Sequence, residues 1–155
     1  MFRQIAIAAS LAALTGGLSA GAATAASHSA EGDGDQAAMA VGIPGDAEAG
    51  ERTFRKCQAC HAVGEGAANK VGPVLNGVIG RTAGTLEGFD YSDAMIEKGE
   101  GGLVWSPETL DTYLEKPRDV VPGTKMAFAG LRKEDERQNV IAYLATFGDE
   151  AEGGS

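Results

Sequence analysis

A chain of 155 residues with a formal net charge of −9 has room for one domain with extensions, and is too acidic to offer nucleic acid a general basic face. The hydrophobic share of 43% allows a packed core, while 23 glycines point to much loop. The two cysteines, Cys57 and Cys60, stand so close that a disulfide between them would remove little entropy from the unfolded chain, so another use of the pair is expected.

The first 25 residues read as a secretion signal. Arg3 and the amino terminus give a small positive region, residues 5–18 are apolar, and Ala23-Thr24-Ala25 fits a cleavage site. The apolar run is shorter than the ~20 residues of a spanning helix. Cleavage would release the chain into the periplasm; an uncleaved leader would tether it to the membrane. Residues 26–45 carry Glu31, Asp33 and Asp35 among Gly and Ala, a composition too poor in large side chains to order itself, and so predict a flexible acidic linker. Residues 148–155 are acidic and glycine-rich, a frayed tail. The folded unit is residues 46–147.

Within that unit the pattern predicts four helices and no alternating strand. Asp46 caps a first helix reaching about Cys57, with Gly50 and Phe54 on one face. Ser92 caps a short second helix through Lys98, stopped by Gly99. Ser106-Pro107-Glu108 opens a third, with Leu110 and Leu114 inward and Pro117 as its end. Glu134-Asp135-Glu136 opens a fourth, whose Val140, Leu144 and Phe147 form an apolar stripe. The loops between are long, so the protein core is thin, and a large apolar body at its centre would make good the deficit.

Cys57-Gln58-Ala59-Cys60-His61 can supply that body. The C-x-x-C-H spacing is the attachment signature of c-type haem, in which two thiols bond the porphyrin and the adjacent imidazole reaches the iron. A thioredoxin-like redox pair would need a βαβ context, which is missing. A zinc site would need four ligands, and the folded unit has two Cys and one His. The second axial ligand must then be other than histidine, or the site is open; within the fold the candidates are Met95 and Met126. Met95 sits beside Ala94 and Ile96 in a short helix and suits core packing. Met126 ends Pro122-Gly123-Thr124-Lys125-Met126, a loop able to lie close to a flat cofactor, and is the expected second ligand. With both axial positions filled, no site is left for oxygen or peroxide, and the soft thioether favours ferrous iron.

From Gly50 to Leu144 the chain resembles the class I cytochromes c, closest to the mitochondrial type and bacterial cytochrome c2. The matching residues run in family order: Gly50 and Phe54, the Cys57–His61 motif, Gly72-Pro73, Leu75, Arg81, Tyr91-Ser92, Trp105, Tyr113-Leu114, Pro117, Pro122 to Met126, Phe128, Gly130, Arg137 and Tyr143-Leu144. The resemblance implies an all-α cytochrome c fold around one covalent haem c, with helices and loops wrapping it. It implies that Pro73 orients the His61 ring, that Arg81, Tyr91, Trp105 and Thr124 border the haem propionates, and that Tyr113 packs near the Met126 sulfur. It also implies that Gly50 lets the first helix cross the last, and that Lys56, Lys70, Arg118 and Lys125 form a docking face on an otherwise acidic body.

The implied function is one-electron carriage without substrate chemistry, from a bc1-type complex to a terminal oxidase, reaction centre or reductase. A monomer is expected, with no nucleic acid partner and with membrane contact only through partners or an uncleaved anchor. The alternatives are a haem enzyme or gas sensor, which would need an open iron, and a dedicated acceptor for one periplasmic dehydrogenase. Two departures from the family pattern stand out: residues 98–102 lengthen the segment between Tyr91 and Trp105 into what is expected to be a looser lobe, and the acidic linker before Asp46 is unusual for a diffusible cytochrome. Asp119 stands where mitochondrial members are basic, so the basic ring is thinner.

Overall fold

The computed structural model describes residues 42–148. The expected signal, most of the linker and the tail beyond Gly148 lie outside the described residues. Among those residues five helices and one isolated antiparallel bridge, Thr82 to Val104, are the regular structure. The fold is all-α, as expected, with one more helix than the sequence pattern predicts.

Helix α1 spans Ala47–Phe54. The Asp46 carboxylate accepts from the Ala49 amide at 2.9 Å, satisfying one of the free donors at the helix start. Its buried face is Ala47, Gly50, Thr53 and Phe54, the spacing of a single helical stripe. The helix stops short of the expected Cys57 because the chain tightens: the Lys56 and Cys57 amides donate three residues back, to Thr53 and Phe54.

Helix α2 is Asp93–Glu100, capped by the Ser92 hydroxyl on the Met95 amide at 3.3 Å. It runs through Gly99 instead of stopping there, because the Gly101 amide still finds the Glu97 carbonyl at 2.9 Å. The looser lobe expected at 98–102 is therefore corrected to a helix end and a closed turn. The Leu103 amide returns to Lys98 O at 2.9 Å, and Ala83 N to Leu103 O and Trp105 N to Arg81 O, each 2.9 Å, pin the segment to its neighbour.

Helix α3 is Pro107–Glu115, capped by Ser106 on Thr109 N at 3.2 Å. Pro117 does end its run, but also opens α4, Pro117–Val120, because proline suits a first helical position as well as it blocks an interior one. Helix α5 is Glu134–Ala145; three acidic residues in its first turn favour the positive end of the dipole in place of a side-chain cap. Phe147 lies beyond its end, so the expected stripe is shortened to the buried Val140 and Leu144.

Helices α1 and α3 pack on α5, and α4 folds back on α3. At the α1–α5 crossing a Cβ on Gly50 would collide with the Asn139 carbonyl and stand 2.7 Å from the Tyr143 Cβ, so only glycine permits this approach. Phe54 and Tyr143 pack there as a tilted pair with centroids 5.4 Å apart. The α3–α5 contact is held by buried Arg137, whose guanidinium meets Asp111 at 2.8 and 3.2 Å and the Leu131 and Arg132 carbonyls at 3.0 and 3.2 Å. A buried cation costs several kcal/mol to desolvate (of order), so this full set of acceptors is what makes the position tolerable. Helix α2 packs on loops instead of on another helix.

Candidate functional site

The helices leave a cleft of about 290 Å³ between α1, α3, α5 and the long loops. A single water needs only ~15 Å³, so the space is ligand-sized. All ten residues expected to touch the haem border this one cleft: Cys57, Cys60 and His61 from the turn after α1, Pro73 and Arg81 from the first long loop, Tyr91 and Trp105 from either side of α2, Tyr113 from α3, and Thr124 and Met126 from the loop after α4.

The turn that carries the cysteines is set by its backbone. Gln58 N donates to Phe54 O at 3.1 Å, Cys60 N to Cys57 O at 3.0 Å and His61 N to Cys57 O at 2.9 Å, so the motif continues the helical sense of α1 after its end. Cys57 is half-buried and Cys60 exposed, and both border the cleft. As a free thiol, Cys57 is pushed up to about 11 by burial, partly opposed by Lys56.

His61 is held from two sides. Its Nδ1 lies 2.7 Å from the Pro73 carbonyl. A carbonyl only accepts, so Nδ1 carries the proton and Nε2 keeps its lone pair for a metal. Gly72 packs on the ring so closely that a Cβ there would be 2.5 Å from Cε1. Burial lowers the imidazole pKa; the Pro73 bond opposes this, and Lys70 adds to it. The neutral, ligating form is thereby favoured at pH 7.

Met126 is half-buried on the other loop. Its amide donates to the Thr124 hydroxyl at 3.2 Å, and the Tyr113 hydroxyl stands 3.8 Å from its sulfur. Burial raises the Tyr113 phenol pKa, and the Thr124 side chain opposes this in part. Tyr113 packs on Trp105 in a tilted arrangement with centroids 4.8 Å apart, both buried, which fixes the ring that faces the thioether. Met95 does pack in the core, as its helix suggested, yet it also borders the cleft.

Arg81 is a half-buried cation whose guanidinium donates to the Asn76 carbonyl at 3.2 Å and the Val74 carbonyl at 3.4 Å. No carboxylate among the described residues pairs with it. Burial lowers its pKa, and Tyr91 beside it raises it in part. An apolar cleft with one such cation at its edge suits a flat apolar ligand bearing carboxylates, as haem does. Two thiols at attachment spacing, one imidazole with Nε2 free and the thioethers of Met126 and Met95 make up a donor set that fits the group.

The predicted docking cations fare less uniformly. Lys56 is bound to Glu136 at 2.6 Å, and Lys125 to Asp90 at 2.6 Å and to the Asp90 and Tyr91 carbonyls at 3.1 Å each. Lys70 donates to backbone carbonyls, and Arg118 is exposed beside a shallow groove floored by Ala127 and Phe128. Asp119, the acidic departure, is taken up by Lys116 at 2.7 Å. Sequence reasoning missed Asp90 and Glu136 as partners, and also Val71, which is 81% exposed at the cleft mouth.

A family model described as Cytochrome c matches residues 47–148. The chain is similar to cytochrome c2 of Rhodoplanes tepidamans, 55% identical over 103 residues covering 66% of this chain and 94% of that protein. It is likewise similar to cytochrome c-550 of Ancylobacter novellus, 56% identical over 98 residues covering 63% of this chain and 92% of that one. Among solved structures, cytochrome c2 from Rhodospirillum Centenum superposes with a TM-score of 0.64 at 44% identity, covering 66% of this chain and 98% of that one.

Proposed function

Because the chain belongs to the cytochrome c family and carries one covalently bound haem c, making it an electron carrier and not an enzyme, we propose that it holds the iron between His61 and Met126 and shuttles single electrons in the periplasm. Its donor is a bc1-type complex, and its acceptor an oxidase, reaction centre or reductase. Cys57 and Cys60 hold the group covalently. When bound, haem supplies an iron centre that gains and loses one electron.

The observation that carries this reading is the approach of His61 and Met126 to one cleft, each secured by a neighbour: Pro73 O on His61 Nδ1 at 2.7 Å, and the Tyr113 hydroxyl 3.8 Å from the Met126 sulfur. Pro73 and Gly72 keep the imidazole oriented, and Tyr113 and Thr124 keep the thioether loop in place. Arg81 offers its charge to the acidic edge of the ligand. Nothing in this arrangement has to bind or leave when an electron arrives, so ligand positions set beforehand by backbone contacts keep rearrangement small. The buried Trp105 and Tyr113 help to exclude water from the cleft.

The test is an absorption spectrum of the exported holoprotein, oxidised and reduced, before and after carbon monoxide. A far-red band of Met on ferric iron, with no carbon monoxide shift, is expected. A missing band, or a shift, would remove Met126 as the second ligand.

A further inference from the structure

A helical run leaves its last carbonyls without partners. In the turn after α1 five carbonyls find partners. Cys57 O takes the His61 amide, Cys60 O takes the Gly72 amide at 2.8 Å, and Ala62 O takes the Leu75 amide at 3.0 Å. Gln58 O and His61 O are met by a side chain instead: the Lys70 ammonium donates to them at 2.9 and 3.3 Å. A cation on the terminal carbonyls of a helical segment is favoured by both hydrogen bonding and the dipole.

The backbone of the same lysine is tied to the other half of the site. Lys70 N donates to Gly72 O at 2.9 Å, closing the short turn that lays Gly72 on the His61 ring and aims Pro73 O at Nδ1. One residue therefore joins the turn that carries the ligand to the turn that orients it. Among the four cations expected on a docking face, it is the one committed to backbone carbonyls of the haem-attachment motif.

We propose that Lys70 is a positioning residue for the iron ligand His61, clasping the Cys57–His61 turn to the Gly72-Pro73 turn, and not primarily a docking charge. The inference rests on His61 being an iron ligand. Without the clasp, the two turns move relative to one another and the ring loses its fixed plane.

The test uses holoprotein with Lys70→Met, Lys70→Arg and, as a control that removes a neighbouring charge whose ammonium pairs with Glu136 and not with the carbonyls of the motif, Lys56→Met. The measurements are amide exchange at His61 and Gly72, and the His61 ring-proton shifts in the reduced, diamagnetic protein. Lys70→Met is expected to speed both exchanges about five- to tenfold, as loss of charge-assisted hydrogen bonds implies, and to move the ring shifts. Lys70→Arg should restore both toward the native values, and Lys56→Met should alter neither. Native exchange and native ring shifts in Lys70→Met, or equal changes in Lys56→Met, would overturn the proposal. Failure of the ligand assignment itself would be seen separately, as native protein whose ring protons lack the large shifts of an iron-bound imidazole.

Discussion

Asparagine at Asp90 should make this protein react faster with an acidic partner. Asp90 holds Lys125 at 2.6 Å, but its side chain is 96% exposed and that of Lys125 is 58% exposed. Such a pair contributes at most ~1 kcal/mol to the fold, so Asp90→Asn leaves the structure standing. The Asp90 and Tyr91 carbonyls, both 3.1 Å from the ammonium, keep Lys125 at the cleft rim. What changes is the charge that a partner meets: a neutral pair becomes one positive charge. Against a partner carboxylate ~7 Å away across solvent, that charge is worth about 0.6 kcal/mol before screening, or roughly threefold in association. A Debye length of about 30 Å at 0.01 M salt leaves slightly over twofold, and about 8 Å at 0.15 M leaves roughly 1.5-fold. Stopped-flow reduction by a bc1-type complex at those two salt concentrations is the assay. A rate that falls, or a gain that does not shrink with salt, would refute the reasoning that internal carboxylates mask the docking face.

Gly50→Ala should lower stability by about 2 kcal/mol or more, read by denaturant titration, because its methyl meets the Asn139 backbone and the Tyr143 Cβ and neither can move aside freely. Burial raises the Tyr113 phenol above its usual 10, so the fold favours the protonated form; that stability is present below pH ~10 and lost as pH rises through the folded pKa. Tyr113→Phe should therefore lose less stability than the native protein in alkaline melts, though Tyr91 and Tyr143, also raised by burial, keep part of the loss. Replacing Cys57 and Cys60 together by Ser should abolish covalent haem and, since the cleft walls then lack their partner, reduce far-ultraviolet helicity; native-like helicity in the haem-free chain would contradict this.

What the sequence made legible is what local chemistry determines. Ser92 and Ser106-Pro107 cap helices within three residues of themselves, and the Cys57–His61 motif carries its attachment geometry in its own spacing. Pro117 misled because one residue type signals both the end of α3 and the start of α4. Gly99 misled because a stop signal yields when the next amides still find carbonyls one turn back. The ion pairs that mask Lys56 and Lys125 join residues 80 and 35 positions apart, and no local pattern announces them. Lys70 was visible as a basic residue near the motif; that its ammonium turns inward to carbonyls depends on the loop between them folding back.

The cleft and the core are largely the same side chains. Phe54, Leu110, Val140 and Leu144 are buried in the cluster that packs α1, α3 and α5, and each also borders the cleft. The haem site is therefore an unfinished part of the core, and the group that fills it adds the apolar contacts a thin helical wrapper lacks. This couples stability to electron transfer through one set of atoms. His61 is fixed by Pro73 and Gly72 on one loop and Met126 by Thr124 on another and by Tyr113 on α3, while the shared core holds the two loops at a set separation. A substitution that loosens the core, such as Gly50→Ala at the α1–α5 crossing, should thus also weaken the proposed hold of Met126 on the iron, although it touches neither proposed ligand.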